Sequence, residues 1–158
     1  MKIKIADNAW LYLRVSTEEQ ARDAYGLESQ EKACRELCQE RGWTVDKIFC
    51  DRGVSAWADV ERPEFLRMRL DIRKVRDVNL VFYDYSRFGR KTLPALKAFD
   101  ELDNLGVFSI AATNPGIDCR KAAGRTARRD ELSKAEDFSD QNSEKTSARM
   151  KAAFEDGR

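Results

Sequence analysis

Residues 9–16 read Ala9-Trp10-Leu11-Tyr12-Leu13-Arg14-Val15-Ser16, and this stretch decides the fold class. A short, nearly unbroken apolar run that stops on an arginine and a serine has the signature of a strand buried on both faces. Side chains alternate along a strand, so Leu11, Leu13 and Val15 point one way while Tyr12, Arg14 and Ser16 point the other. Arg14 and Ser16 are therefore neighbours at the C-terminal end of the strand.

Working outward, Thr44 to Cys50, Val78 to Tyr83 and Val107 to Ala112 read as three further strands. Helical patterns fill the intervals. One runs from Leu27 to Arg41 and is stopped by Gly42, and one from Pro63 to about Val75 has proline at its first position. A third runs from Thr92 to Leu105 and is closed by Gly106. Strands alternating with helices of this length imply βαβ units, hence an α/β fold with a mainly parallel central sheet flanked by helices. The strand order is not readable. This part occupies residues 1–124.

Residues 125–158 differ in kind. They hold eight basic and eight acidic residues, no strand pattern, and scattered apolar positions such as Leu132, Phe138, Met150 and Phe154. The segment reads as one long polar helix or two, too thinly apolar to fold alone. It is expected to pack on a partner subunit or lie along DNA, the plain alternative being a frayed, solvated tail.

Composition excludes much. The 158 residues carry 29 basic and 28 acidic side chains, a formal charge of +1, so any contact with nucleic acid must rest on local basic patches. The absence of histidine removes Ser-His-Asp chemistry, HExxH zinc sites and Cys₂His₂ fingers together. Cys34 and Cys38 share a helical face and would allow a metal, but without a paired CxxC framework the better reading of the four cysteines is reduced core thiols. No apolar run approaches a membrane span and no signal-peptide pattern opens the chain, so a soluble, cytoplasmic protein is expected.

Chemistry gathers at the strand ends, where open α/β sheets build their sites. The first strand delivers Arg14 and Ser16. The second delivers Asp51, with Ser55 in the loop beyond. The third ends in Asp84-Tyr85-Ser86-Arg87-Phe88-Gly89-Arg90, and if a helical turn begins there, Arg87 and Arg90 share a face. One serine and three arginines on one sheet edge suit phosphoryl transfer, because guanidinium groups match the non-bridging oxygens of a pentacoordinate phosphorus. Each element also has an ordinary reading. Arg87 and Arg90 would serve as a solvated helix face, and Arg67, Arg69, Arg73, Lys74 and Arg76 as the outer face of a helix.

In order and spacing, these motifs resemble the serine site-specific recombinases of the resolvase/invertase family, and among them the large phage-integrase and transposon recombinases. The resemblance rests on Tyr12-Leu13-Arg14-Val15-Ser16-Thr17 followed by Gln20, and on Gly26-Leu27-Glu28-Ser29-Gln30. It rests also on Asp51-Arg52-Gly53-Val54-Ser55 with Arg62-Pro63, on Ser86-Arg87-Phe88-Gly89-Arg90, and on Glu144-Lys145-Thr146. It covers the chain from about residue 9 to its end.

The resemblance implies a catalytic domain in which Ser16 attacks a DNA phosphodiester and forms a 5′-phosphoserine link. Arg14, Arg87 and Arg90 would surround the scissile phosphate. Gln20, Gln30, Asp51, Ser55 and Arg62 would support the phosphate or hold those arginines. Glu144 and Lys145 would lie on the long helix that dimerises and crosses DNA. The implied partners are double-stranded DNA and further copies of the chain, a homodimer assembling to a tetramer, with strand exchange and religation following cleavage and no metal or other cofactor required. The family's DNA-binding domain would begin where the sequence stops and is expected to be absent from this chain. Ser86 replaces the family's frequent aspartate, and Ala56 replaces a frequent glycine. A non-catalytic oligomerising domain of a DNA-bound assembly is the alternative. A response-regulator-like domain would need an acidic pair where Arg14 and Ser16 stand.

Overall fold

The structure, a computed structural model, describes residues 2–15, 26–52, 62–89 and 91–157, with side chains beyond residue 137 described only at 141, 148, 149, 151 and 152. Chain order is β1 (Asn8–Val15), α1 (Gly26–Arg41), β2 (Thr44–Arg52), α2 (Pro63–Val75), β3 (Asn79–Phe82), α3 (Tyr85–Phe88), α4 (Thr92–Asn104), β4 (Phe108–Ala111) and α5 (Ala122–Gly157). All the strands are parallel, in the order β2-β1-β3-β4. The expected α/β class holds, and the order left open by the sequence is now fixed, with β1 and β3 in the middle.

The alternation along β1 divides the core in two. Ala9, Leu11 and Leu13 pack with Cys34, Leu37 and Cys38 of α1 and with Val81, Phe108 and Ile110. Trp10 and Tyr12 pack on the opposite face with Phe65, Met68 and Ile72 of α2 and with Phe99 and Leu102 of α4. Each of the leucine, isoleucine, valine, methionine and phenylalanine side chains among them contributes about 1.5–3 kcal/mol when fully buried. Gly42 and Gly106 stop α1 and α4 with φ of +73° and +80°, a conformation that side-chain-bearing residues adopt at a cost.

Two ties escape the pattern of apolar residues. The amide of Asn79, wholly buried in β3, accepts from Ala6 N at 2.9 Å and donates to Ala6 O at 2.8 Å. It thereby pins the segment before β1 as another strand would. Asp51, buried at the end of β2, accepts from Glu64 N and Phe65 N at 3.0 and 3.1 Å. Arg62, in the N-cap position of α2, makes no side-chain cap there, so a carboxylate from a neighbouring strand satisfies the helix's first amides.

The C-terminal segment is one helix, not two. At 36 residues it spans about 54 Å. Its first turns are seated on the chain's own domain rather than left for a partner. Arg128, buried, meets Asp103 of α4 with both terminal nitrogens, at 2.6 and 3.2 Å, and covers the ring of Phe99 at 4.4 Å. Leu132 is buried one turn later, and Glu136 receives the hydroxyl of Thr92 at 2.6 Å after another. No described helix is long and apolar enough to cross a membrane.

Candidate active site

Because β1 and β3 are adjacent, the residues at their C-terminal ends meet although more than seventy positions separate them. Asp84 follows β3 and caps α3: its carboxylate accepts from Arg87 N at 3.1 Å and from the Ser86 hydroxyl. The resulting single turn carries Arg87 but ends at Phe88, with Gly89 extended, so the helical spacing that would set Arg87 and Arg90 on one face does not run on past Phe88.

Beneath this turn lies Arg14, only 4% exposed. Its Nε donates to Arg87 O at 3.2 Å and its Nη2 to Ser86 O at 2.5 Å. Arg87 returns the contact, Nη1 donating to Arg14 O at 3.4 Å. Arg87 also stands 3.9 Å from Asp84 through Nε and keeps 17% of its side chain exposed. Arg62 reaches the same place from the start of α2, its Nη2 donating to Arg87 O at 3.1 Å. Two guanidinium groups, those of Arg14 and Arg62, thus converge on the backbone of one four-residue turn, while that of Arg87 reaches back to β1.

Arg62 is itself held. Its Nε donates to the hydroxyl of Tyr12 at 3.1 Å, and its guanidinium lies 3.8 Å from the centre of the Phe65 ring. Tyr12 in turn donates to Asp51 Oδ2 at 2.8 Å. Burial pushes the Tyr12 phenol well above its ordinary range, so it stays protonated and able to donate. Asp51 therefore does two things at once: it caps α2 and anchors the Tyr12–Arg62 arm that reaches Arg87.

Of the residues singled out in the sequence, Arg14, Asp51, Arg62 and Arg87 come together. Gln30 is buried near the start of α1, its Oε1 without a hydrogen-bond partner among the described residues. Since α1 leads into the start of β2, beside the start of β1, its own first turn lies at the edge where β1 ends. Ser16, Gln20, Ser55 and Arg90 lie outside the described residues. Glu144 and Lys145 fall within α5, with side chains outside those described. Tyr12 and Asp84 were assigned no role in the sequence. The signal for Asp84 was present, an aspartate three residues before Arg87 at a strand end, which is the spacing of a helix cap. Among the basic residues of α2, the ordinary reading holds for three: Arg69 and Arg73 both bind Glu101 of α4, and Arg67 binds Glu64. No group of three or more potential metal ligands occurs among the described residues.

The profile of the resolvase N-terminal domain matches residues 9–158. The chain belongs to the resolvase family. A resolvase family site-specific recombinase from Streptococcus pneumoniae, known from its crystal structure, superposes with a TM-score of 0.66 at 25% identity. The match covers 98% of this chain and 99% of that one. The "Uncharacterized immunity region protein 3" of Bacillus phage phi105 is 41% identical over 56 residues, 35% of this chain and 67% of the phage protein. The "Putative DNA recombinase" of Bacillus subtilis (strain 168) is 37% identical over 93 residues. Those residues are 58% of this chain but only 18% of the Bacillus subtilis protein. In this resolvase-family chain Arg14 and Arg87 interlock at the end of β1, on the sheet edge that the sequence singled out.

Proposed function

We propose that this chain is the catalytic domain of a serine recombinase, which cuts and rejoins double-stranded DNA through Ser16. The observation that carries the proposal is the mutual hold of Arg14 and Arg87 at the end of β1, two residues from Ser16. In the proposed step, a bond forms between Ser16 Oγ and phosphorus while the bond from phosphorus to the 3′ oxygen breaks. The serine proton is lost to a base and the departing 3′ oxygen gains one. The product is a 5′-phosphoserine ester and a free 3′-hydroxyl. Religation runs the same exchange backwards after the strands have changed partners. The ester keeps the energy of the broken bond, so the cycle needs no nucleotide.

In this scheme Arg87 and Arg90 face the non-bridging oxygens, where each fixed donor is worth roughly 3 kcal/mol of transition-state stabilisation. Arg14 completes the cationic cluster from below and, with Arg62, sets the turn that presents Arg87. Asp51 anchors Arg62 through Tyr12. Gln30, Gln20 and Ser55 take supporting positions around the phosphate. Residues 125–158, with Glu144 and Lys145, supply the dimerising and DNA-crossing helix, and two dimers join as a tetramer.

The test is covalent trapping. The chain, fused to a DNA-binding domain of known site, is offered nicked duplexes that prevent religation, with several spacer sequences between paired sites. A DNA–protein adduct that maps to Ser16 and disappears in Ser16→Ala is the expected result. A folded, DNA-bound fusion that forms no adduct on any spacer would instead indicate a non-catalytic assembly domain.

A further inference from the structure

The turn that carries Arg87 is gripped from two sides. On the sheet side, Arg14 and Arg62 hold the carbonyls of Ser86 and Arg87. On the other side lies α5. Tyr85 is buried with Arg128 and Glu131 as charged neighbours, and Phe88 stacks on Phe99 with ring centres 3.9 Å apart, the same Phe99 that Arg128 covers.

The segment leaving the turn is also constrained. A Cβ on Gly89 would lie 3.0 Å from Cβ of Ala95, so the backbone there runs close against α4. Helix α4 begins at Thr92, and Lys91, in its N-cap position, makes no side-chain cap. The cap comes from α5 instead: Glu136 Oε2 accepts from Thr92 Oγ1 at 2.6 Å and from Thr92 N at 3.3 Å. A carboxylate on a first-turn amide is favoured both by the hydrogen bond and by the helix dipole. Among the described contacts between α5 and the rest of the domain, this one lies farthest along α5.

We propose that Glu136 is a positioning residue which, through Thr92, ties the seat of the long helix to the turn presenting Arg87. Lifting α5 from Thr92 frees the start of α4 and, with it, the chain that runs back to Arg87. The helix that would meet a second subunit and DNA thereby reports its position to the phosphate-binding side chain. The functional meaning of this tie rests on the role proposed above for Arg87, whereas its physical content is local and independent of DNA.

Amide hydrogen exchange on the full chain tests it, comparing the parent with Glu136→Ala, Thr92→Val, the double variant and Glu136→Gln. Glu136→Ala, which removes both bonds, is expected to raise exchange across residues 85–95 about fivefold, and Thr92→Val, which keeps the amide bond to Glu136, to raise it less. The double variant should be no worse than Glu136→Ala alone. Glu136→Gln, which keeps an acceptor oxygen, should restore most of the protection, and amides of β1 and β3 should stay unchanged. Exchange that rises only within α5, or rises equally throughout the sheet, would overturn the proposal, as would a larger effect of Thr92→Val than of Glu136→Ala. A chain that passes this test yet forms no serine adduct would sink the catalytic reading and leave the tie standing.

Discussion

Arg14 and Arg87 each hold the other's backbone: the side chain of Arg14 donates to the carbonyl of Arg87, and the side chain of Arg87 donates to the carbonyl of Arg14. The pairing closes the sheet edge at the point where β1 ends. It also means that neither residue changes without disturbing the placement of the other.

Arg14→Lys keeps the charge but replaces a two-point fork with a single ammonium that cannot span the carbonyls of Ser86 and Arg87. Cleavage by the fused chain is expected to fall about 100-fold, from loss of roughly 2–3 kcal/mol of positioned donation. Single-turnover adduct formation measures this. A lysine variant within threefold of the parent would show that charge, not geometry, is what Arg14 supplies.

Asp51→Ala leaves the amides of Glu64 and Phe65 and the hydroxyl of Tyr12 without their acceptor. Unfolding free energy is expected to drop by about 2–4 kcal/mol, read from urea titration. Asp51→Asn, which retains one acceptor oxygen, should lose less than half as much.

Gly124→Ala meets backbone. A Cβ at this position would lie 1.8 Å from the carbonyl oxygen of Asp118, which has no flexible end to yield. The first turn of α5 must shift, at an expected cost of about 2–4 kcal/mol, and thermal melting of the variant should show it. An unchanged midpoint would mean that the helix start can move freely.

Acid should act at the same corner. Arg120 holds the carboxyl of Asp118 down at about 2, below its ordinary 3.8. A carboxyl depressed on folding contributes stability above pH 3.8 and loses it as pH falls towards 2. The pair is partly exposed, so the effect is expected to stay under about 1 kcal/mol. Thermal melts of the parent and Asp118→Asn from pH 5 to pH 2 should converge at the acid end. Parallel curves would mean that the pair contributes nothing.

The thiols give a last check on the core. Burial pushes the Cys34 thiol up to about 12, and the residue is wholly enclosed. Cys50 is only half-buried. Alkylation of the native chain at pH 8, followed by mass spectrometry, should label Cys50 first and Cys34 only after unfolding. Early labelling of Cys34 would contradict the packing of α1 on β1.

The strands and helices were legible because their signals are local. An apolar run ending in Arg14-Val15-Ser16 marks a strand and its end, and Pro63, Gly42 and Gly106 mark helix limits wherever the chain goes next. Partners in space were not legible. Alternation predicts that Arg14 shares a face with Tyr12, but not that its fork closes on the carbonyls of residues 86 and 87. The acceptor for the amides of α2 stands on β2, 13 and 14 positions upstream, beyond the spacing from which a helix cap is read. The seat of α5 escaped for another reason. Arg128, Leu132 and Glu136 recur every four residues and form one stripe, yet only the middle one is apolar, so a search for apolar periodicity passes over it.

About twenty residues of α5 continue beyond Glu136, an arm of about 31 Å at 1.5 Å per residue. Such an arm amplifies whatever happens at its base. A tilt of about 5° at the seat carries the far end through nearly ~3 Å, roughly the rise of two helical residues. Small adjustments among Arg128, Leu132 and Glu136 therefore set where the distal end of the helix points, and a push on that end returns to the domain as torque on three side chains.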